Sequence, residues 1–293
     1  MSSIAAVVVT YHPGPVVLDN VRRLSEQVDQ IFVVDNGSAG ASLQVVEALE
    51  KTPGVQVIRN PSNLGIATAL NLGIRAALQT GAEWIANFDQ DSSVTDNYFN
   101  DLFRAYEMCP QAKCVGMIVP RGWSEAVTKV IRLVTPTWGF VLQANTSGSL
   151  IKREVFESVG FYDDDFFIDF VDIDFCLRLK KHGFRVLKAM QVELHHELGS
   201  KQTRNLLGFK ISFRDHTSWR YYYMMRNRLF VHRRYYAVSP LWVCADIGWF
   251  FYGSAQLCLE HDRRKKLKAM YAGLRDALRG RTGRHPLFPP PAK

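Results

Sequence analysis

The stretch Trp84-Ile85-Ala86-Asn87-Phe88-Asp89-Gln90-Asp91 decides the fold, because it joins an apolar run to two carboxylates one residue apart. The run 84–88 predicts a buried strand. Asp89 and Asp91 then lie at its carboxyl end, the edge at which open α/β sheets bind ligands. Two close carboxylates there suit Mg²⁺ or Mn²⁺ and, together with the metal, a diphosphate. A solvated Asp-rich turn that caps the next helix would have the same pattern.

On the N-terminal side of this stretch, strands and helices alternate. Strands are predicted at 4–10, 30–34 and 55–58, with helices at 16–28 and 43–50 between them. The runs 4–9 and 31–34 of the first two strands are continuously apolar, which is typical of parallel strands covered on both faces. The expected fold is therefore α/β, with a Rossmann-like, mostly parallel sheet and helices on both faces.

On the C-terminal side, a second acidic cluster stands out in the segment Phe166-Phe-Ile-Asp169-Phe-Val-Asp172-Ile-Asp174-Phe-Cys-Leu-Arg178. On a helix, Asp169 and Asp172 share a face, while Asp174 pairs with Arg178 four residues later. Asp169 and Asp172 are then candidates for a general base among apolar neighbours. A helix N-terminus enriched in Asp would also explain the cluster.

Two short edge strands are predicted next, at 184–187 and 191–194, followed by His195 and His196. Adjacent residues of a strand point to opposite sides, so at most one of these histidines faces the acidic site. A lone histidine is more often structural than a ligand, but this one follows two carboxylate clusters.

The composition indicates a globular protein, with 47% apolar and 22% charged residues in a chain of 293. The net charge of +8 is unevenly spread. Residues 1–200 carry 17 Lys and Arg against 23 Asp and Glu (−6), whereas residues 201–293 carry 19 against 5 (+14). A basic tail of this kind favours an anionic partner, either a membrane surface or nucleic acid. The five cysteines lack a CxxC spacing and indicate a reducing compartment. The apolar run at the N-terminus is too short for a signal peptide. A cytoplasmic protein is therefore expected.

The tail contains two segments of interest. The segment 218–228 interleaves cations and aromatic residues in a helical pattern, which could bind single-stranded nucleic acid by stacking and charge. The segment 237–259 is long enough to span a bilayer, but Ser239, Asp246, Gly253 and Glu260 recur every seven residues. This small-polar stripe, opposite a face with Trp242, Trp249, Phe250 and Leu257, favours a helix that lies at the interface or packs on the domain. With the basic run that follows it, the segment predicts peripheral association with an anionic membrane.

The ordered motifs of the chain resemble those of family 2 inverting glycosyltransferases, in particular bacterial rhamnosyltransferases of O-antigen, lipopolysaccharide-core and rhamnolipid synthesis. The matching motifs, which span roughly residues 4–285, are Val33-Val34-Asp35-Asn36-Gly37-Ser38, Asn63-Leu-Gly-Ile-Ala67, Phe88-Asp-Gln-Asp-Ser92, Ser147-Gly148, Phe167-Ile-Asp-Phe-Val-Asp-Ile-Asp174 and His196-Glu-Leu-Gly199. The resemblance implies a GT-A fold, which we expect over residues 1–205. The basic, aromatic tail, 206–293, is then expected to form a helical, membrane-associating extension on the acceptor side. The resemblance also implies a nucleotide-sugar donor, dTDP-L-rhamnose, and a glycan or glycolipid acceptor.

Site residues are also implied by the resemblance. Asp172 is the catalytic base, although many relatives have Glu-Asp where this chain has Val171-Asp172, which leaves Asp169 as a rival. The implied nucleotide-sugar contacts are Thr10, Tyr11, Asp35 (to the pyrimidine), Asn36, Asn63, Gly65 and Asp89. The implied metal ligands, for Mg²⁺ or Mn²⁺, are Asp89, Asp91 and His196. The implied acceptor or phosphate contacts are Ser147, Gly148, Asp169, Arg220, Tyr222, Arg226 and Asn227.

Three other functions fit part of these features. A UDP-hexose-dependent glycosyltransferase would have the same fold. A metal-dependent nucleotidyltransferase or phosphohydrolase would use the carboxylates but leaves the match at Asp35 unexplained. A nucleic-acid-binding protein would explain the tail and little else. We therefore expect an enzyme at the inner face of the cytoplasmic membrane that does not bind nucleic acid.

Overall fold

The computed structural model describes residues 2–122, 137–196, 202–206, 209–213, 216–257 and 260–290, with side chains except at residues 196, 202–206, 209–213, 255 and 256. The chain divides into two compact units. The first unit is Met1–Asp163 with Asp172–Glu197, and the second is Asp164–Val171 with Leu198–Lys293. The domain boundary expected at residue 205 stays a prediction.

The first unit begins with alternating strands and helices, as predicted. They are β1 (Ile4–Thr10), α1 (Val16–Ser25), β2 (Gln30–Asp35), α2 (Ser42–Glu50), β3 (Val55–Arg59), α3 (Ile66–Gln79) and β4 (Trp84–Asp89). The four strands are parallel and lie in the order β3-β2-β1-β4. All carboxyl ends of these strands therefore meet at one edge of the sheet, which is where the site is built.

The rest of the first unit extends this sheet. Its elements are β5 (Ser92–Ser93), α4 (Tyr98–Glu107), β6 (Val115–Gly122), β7 (Trp138–Val141), β8 (Ser149–Lys152), α5 (Arg153–Ser158), α6 (Val171–Lys181, with Val171 in the second unit) and β9 (Arg185–His196). Beyond β4, the order continues β8-β6-β9-β5, with β7 also on β9. The strands β5, β7 and β8 pair antiparallel with their neighbours. The predicted α/β fold is confirmed, and its sheet is mixed in the second half.

Burial on both faces explains the apolar strands. All seven residues of β1 are buried. On one face, Ile4, Ala6 and Val8 share a core with residues of α1 and α4. On the other face, α3 lies so close to β1 that a Cβ built on Gly73 would be 2.4 Å from Cγ1 of Val7.

Two sequence predictions about the segment 166–196 are wrong. Asp169 does not share a helix with Asp172, because Asp169 and Phe170 have positive φ angles (61° and 66°) and α6 begins at Val171. A left-handed backbone cannot continue a right-handed helix. The second error concerns the two edge strands, which form one continuous strand, β9. It pairs with β6 and β7 in its first half and with β5 at its end.

The second unit consists of a hairpin and helices. Its elements are β10 (Gln202–Leu206), β11 (Phe209–Phe213), α7 (Ser218–Tyr235), α8 (Pro240–Gln256) and α9 (Arg263–Leu278). Phe167, Tyr222, Tyr223 and Ala269 form its buried core. Within the described ranges, no helix is both long and apolar enough to cross a bilayer.

Part of the predicted polar stripe along α8 is directed toward the rest of the second unit. Asp246 points toward α7, where Arg228 Nε donates to it at 2.8 Å and His232 Nε2 lies 2.6 Å away. Ser239 is buried as well. The aromatic residues are split between the two faces, since Trp242 is buried and Trp249 is exposed.

Candidate functional site

Three neighbouring strand ends carry the polar residues of the candidate site. In the register of the sheet, Thr10 of β1 lies opposite Asp35 of β2, and Val9 lies opposite Asp89 of β4. Thr10, Asp35 and Asp89 therefore lie side by side at the carboxyl edge, where parallel sheets bind ligands. The position of Asp89 at this edge was predicted from the sequence pattern, and the roles of Thr10 and Asp35 beside it were implied by the family resemblance.

The carboxylate of Asp35 is buried and strongly hydrogen-bonded. Thr10 Oγ1 donates to Asp35 Oδ1 at 3.1 Å, and the Ser38 backbone N–H donates to Oδ2 at 3.0 Å. The Ser38 hydroxyl also donates to Oδ1 and in turn accepts the His12 N–H. A carboxylate can accept about four hydrogen bonds, of which the described residues supply three. Asp35 thus holds the ends of β1 and β2 together and retains capacity for one donor.

Asn36 organises the turn that leads into α3. Its side-chain amide donates to Asn63 Oδ1 at 3.1 Å and to the Gly65 carbonyl at 3.2 Å. Its own Oδ1 accepts from Asn60 Nδ2 and from the Leu64 N–H. These four bonds saturate the Asn36 side chain. Asn36 therefore shapes the predicted nucleotide-sugar contacts Asn63 and Gly65, and has no hydrogen-bonding capacity left for a ligand.

The Asp89-Gln90-Asp91 turn is fastened to β1 and α1 through Gln90. Gln90 Oε1 accepts the Tyr11 N–H at 2.8 Å, and the Gln90 carbonyl accepts from Asn20 Nδ2 at 3.1 Å. Asp89 and Asp91 are both half-buried. The turn thus presents two carboxylates from a backbone fixed at its central residue.

Ser147 and Gly148, predicted as acceptor or phosphate contacts, form hydrogen bonds that hold the same turn and the end of β4 in place. Ser147 Oγ accepts the Asp89 N–H at 2.9 Å and lies 2.7 Å from Ser92 Oγ. Gly148 donates its N–H to the Asn87 carbonyl, and its own carbonyl accepts the buried Tyr98 hydroxyl at 2.6 Å. Burial raises the pKa of Tyr98 well above its ordinary value, so this hydroxyl remains a donor. These contacts give Ser147 and Gly148 a positioning role.

The backbone brings two of the predicted metal ligands, Asp91 and His196, close together. Antiparallel pairing of β5 with β9 places Ser92 opposite His196, so the residue after Asp91 lies beside His196. The side chain of His196 lies outside the described part of the chain, and its metal contact stays a prediction. Among the described residues, no three His, Cys, Asp or Glu side chains form a group that could hold a metal.

Asp172 is the second residue of α6 and is half-buried. Its Oδ1 accepts the Ile173 N–H at 2.9 Å, and a helix N-terminus stabilises a carboxylate. Burial and, next, the charge of Asp172 raise the pKa of Cys176 to about 12. Burial is also the main cause that raises the pKa of Tyr162, with a smaller effect of Asp172. Both neighbours therefore stay protonated, and the carboxylate is the basic group among them.

The other two acids of the cluster are engaged in ion pairs. Asp174 is buried and lies 3.3 Å from Arg178, which confirms the predicted pairing. In the second unit, both Nε and Nη2 of Arg220 donate to the carboxylate of Asp169. Asn227 Nδ2 donates to the carbonyls of Ile168 and Asp169, at 2.8 and 2.9 Å. The left-handed segment is thus held by two residues of α7.

The remaining predicted acceptor contacts, Tyr222 and Arg226, are fully buried within the second unit. Arg226 donates to the carbonyls of Gly283 and Asp165 and to Asn227 Oδ1. Tyr222 donates its hydroxyl to Asp276 at 3.1 Å. These contacts support a packing role for both residues and give no support to contact with an acceptor.

Sequence reasoning assigned no role to three residues on which the site depends. Ser38 could have been found, since an Asp followed three residues later by Ser is typical of a turn in which the carboxylate binds the backbone. Gln90 and Tyr98 gave no comparable signal, because their partners Tyr11 and Gly148 are 79 and 50 residues away.

Comparison with known proteins identifies the family of the chain. The model of the family described as Glycosyl transferase family 2 matches residues 5–174. The chain is 29% identical to the dTDP-rhamnosyl transferase RfbF of Shigella flexneri, over 96% of this chain and 97% of that protein. It is 25% identical to the N-acetylglucosaminyl-diphospho-decaprenol L-rhamnosyltransferase of Mycobacterium tuberculosis, over 89% of this chain and 96% of that protein.

Solved structures share the fold. The mannosyltransferase PcManGT of Pyrobaculum calidifontis, in complex with GDP-Man and Mn²⁺, has a TM-score of 0.58 and 16% identity, over 94% of this chain and 86% of its own. GalNAc-T7 with UDP, GalNAc and Mn²⁺ has a TM-score of 0.59 and 17% identity, over 80% of this chain and 48% of its own. At these identities the likeness concerns the GT-A fold alone. Because the family model spans more than half of the sequence, from β1 into α6, the chain belongs to glycosyl transferase family 2 and is a glycosyltransferase.

Proposed function

We propose that this chain transfers L-rhamnose from dTDP-L-rhamnose, with inversion, to a hydroxyl of a glycan or lipid-linked acceptor in the synthesis of a cell-surface polysaccharide or glycolipid. The observation that carries the proposal is the alignment of Thr10, Asp35 and Asp89 at one sheet edge, with the fixed Asp89-Gln90-Asp91 turn beside it. The rhamnose assignment is supported by the names of the two curated relatives.

The nucleotide would bind at the ends of β1 and β2. Asp35 retains one acceptor position, which suits the single imino N–H of a pyrimidine base. Because Thr10 and Ser38 fix the orientation of Asp35, the carboxylate is ready for such a donor without rearrangement.

The residues at the turn fit a divalent metal. Two half-buried carboxylates, Asp89 and Asp91, are hard oxygen ligands, and Mg²⁺ typically binds one or two carboxylates with substrate phosphates and water. A group of three protein ligands is not required for such an ion. Asp89, Asp91 and His196 would hold Mg²⁺ or Mn²⁺, which when bound would neutralise charge on the leaving diphosphate.

Asp172 would act as the general base. The carboxylate would accept the proton of the acceptor hydroxyl, whose oxygen would attack the anomeric carbon on the face opposite the leaving nucleotide. The protonated Cys176 and Tyr162 nearby cannot compete for that proton. The rival Asp169 is bound by the guanidinium of Arg220 in two places, which favours a structural role.

The structure does not favour nucleic-acid binding by the segment 218–228. Stacking on bases needs exposed aromatic rings, whereas Tyr222, Tyr223 and Arg226 are buried. The basic tail instead supports a position at the inner, anionic face of the cytoplasmic membrane, where a lipid-linked acceptor would be met.

A thermal-shift panel tests the donor and the metal together. We expect dTDP-L-rhamnose with Mg²⁺ or Mn²⁺ to raise the melting temperature more than dTDP-glucose, UDP-glucose, UDP-galactose or GDP-mannose, since a ligand that binds only the folded state stabilises it. Asp91→Ala should lose the metal-dependent shift. Asp96→Ala, which removes an exposed carboxylate five residues away, should keep it. A larger shift with UDP-hexoses would refute the rhamnose assignment.

Asp172→Asn tests the base. The variant should lose sugar transfer by a factor of about 10² or more while the donor-induced shift stays near that of the wild type. Retention of most of the transfer activity would rule out Asp172 as the base.

A further inference from the structure

One side of α8 is apolar and exposed. Leu241, Trp249 and Phe251 are 85%, 68% and 67% exposed, and Ile247 and Tyr252 are exposed as well. At 100° per residue, Leu241, Ala245, Gly248 and Tyr252 follow one line along the helix. We call this surface, formed by the exposed residues Leu241, Cys244, Ala245, Ile247, Gly248, Trp249, Phe251 and Tyr252, the apolar face of α8.

The opposite side of α8 packs against α7. Trp242 and Val243 are buried, and the rings of Trp242 and His232 lie 6.0 Å apart. Asp246 is the only charged residue of α8, and it is engaged by Arg228 and His232. Hydrogen bonds from His232 and Arg228 outweigh the effect of burial and lower the pKa of Asp246. The helix therefore turns its charge inward and its largest apolar side chains outward.

The charges of the second unit are sorted in the same way. Asp246, Glu260 and Asp276 are at least 87% buried and are paired with cations. Exposed cations occur at the end of α7, which precedes α8, and at the start of α9, which follows it. They are Arg233, Arg234, Arg263, Arg264, Lys265 and Lys268. The accessible charge on either side of α8 in the chain is thus mostly positive.

We propose that the apolar face of α8 docks flat on an anionic lipid bilayer, with the flanking cations at the phosphate headgroups. Trp and Tyr are favoured at the depth where acyl chains meet headgroups. An apolar helix face with basic surroundings binds anionic lipids both by burying apolar surface and by electrostatic attraction. A second copy of the chain is a poorer occupant, because a symmetric pairing would bring like charges together.

The docking surface extends the proposed function, since a lipid-linked acceptor would be presented at the same bilayer. The biological role of this docking rests on the proposed function, but the measurement of lipid binding does not. Lipid binding can be assayed without donor, acceptor or turnover, so the two proposals can fail separately.

A matched pair of leucines provides the test. Leu241 on the apolar face and Leu287 elsewhere in the second unit are 85% and 80% exposed. The full chain, Leu241→Ser, Leu287→Ser and Trp249→Ser with Phe251→Ser would be sedimented with vesicles of phosphatidylcholine, with and without phosphatidylglycerol. We expect wild type and Leu287→Ser to bind the anionic vesicles equally. Leu241→Ser should bind about tenfold more weakly and the double variant weaker still, since burial of one large apolar side chain corresponds to at least that factor.

Two readouts complete the test. Brominated lipid should quench part of the tryptophan fluorescence of wild type, and this quenching should be lost in the Trp249→Ser with Phe251→Ser variant, which identifies Trp249 among the six tryptophans. Added salt should release the protein from the vesicles. Equal binding of all variants would overturn the proposal. Weaker binding of Leu287→Ser than of Leu241→Ser would overturn it as well. So would a dimer in sedimentation velocity that Leu241→Ser dissociates while vesicle binding is unchanged. A circular dichroism spectrum and a melting temperature without ligand that match those of wild type show that the variants are folded.

Discussion

Gly148→Ala should disrupt the contacts of Ser147 and Gly148 that hold the Asp89-Gln90-Asp91 turn in place. Gly148 has φ = +79°, and a Cβ there would lie 2.6 Å from Tyr98 Oη and 2.8 Å from Leu194 Cδ2. The left-handed conformation costs an alanine about 1–2 kcal/mol, and forced overlap in a packed core costs about 1–3 kcal/mol. We therefore expect a loss of about 2–5 kcal/mol in the free energy of unfolding, a large fraction of the stability of a typical domain.

Gly81→Ala is the matched control for this change. Gly81 has φ = +85°, but no atom of the described residues lies within 4 Å of the added Cβ. Only the conformational cost of about 1–2 kcal/mol should then remain. The difference between the two variants measures the overlap alone.

Urea unfolding followed by circular dichroism gives both free energies, and the donor-induced thermal shift gives the effect on the site. Because Ser147 binds the Asp89 N–H, a displaced Gly148 should also weaken metal-dependent donor binding, whereas Gly81→Ala should leave it intact. Equal losses in the two variants would refute the steric argument. Normal donor binding in a destabilised Gly148→Ala variant would show that the contacts of Ser147 and Gly148 do not determine the conformation of the turn.

Two further predictions concern the second unit. Lys266→Met should cost about 3–5 kcal/mol, because it leaves the buried Glu260 carboxylate without its cation, although the Tyr221 hydroxyl still donates to it. Lys265→Met breaks only an exposed pair with Asp262 and should cost at most about 1 kcal/mol; similar losses in denaturant unfolding would contradict this. Burial, opposed by the charge of Asp276, lowers the pKa of His285 below 6.5. Its contribution to stability is then complete above about pH 6.5 and is lost as the pH falls, so the melting temperature of His285→Gln should fall less than that of wild type between about pH 7 and pH 5.5.

The first half of the fold could be predicted because its signals are local. Buried parallel strands are continuously apolar, and each of β1 to β4 ends in polar or turn-forming residues. The grouping of Thr10, Asp35 and Asp89 follows from that topology, since parallel strands present their carboxyl ends together.

The errors occur where distant residues decide the local structure. Asp169 and Phe170 take left-handed conformations while Asn227 and Arg220, more than 50 residues away, hold them. The two predicted strands 184–187 and 191–194 belong to one strand, because β6 pairs with β9 both before and after the gap, at 185–189 and at 193–194. In α7, an arginine among aromatic residues suggested a ligand contact. Backbone carbonyls of Asp165 and Gly283 satisfy it instead, and no sequence pattern marks such a partner.

The contacts that hold the strand ends have a consequence for how the protein becomes active during folding. Thr10 binds Asp35, Tyr11 binds Gln90 and Asp89 binds Ser147, over separations of 25, 79 and 58 residues. Contacts between distant residues form late, because the intervening chain must first be closed into a loop. A nascent chain that has folded only its first four strands would possess Asp89 but not the serine that orients it. Donor binding should therefore appear with the last folding phase of the sheet, and a donor would act as a probe of complete folding.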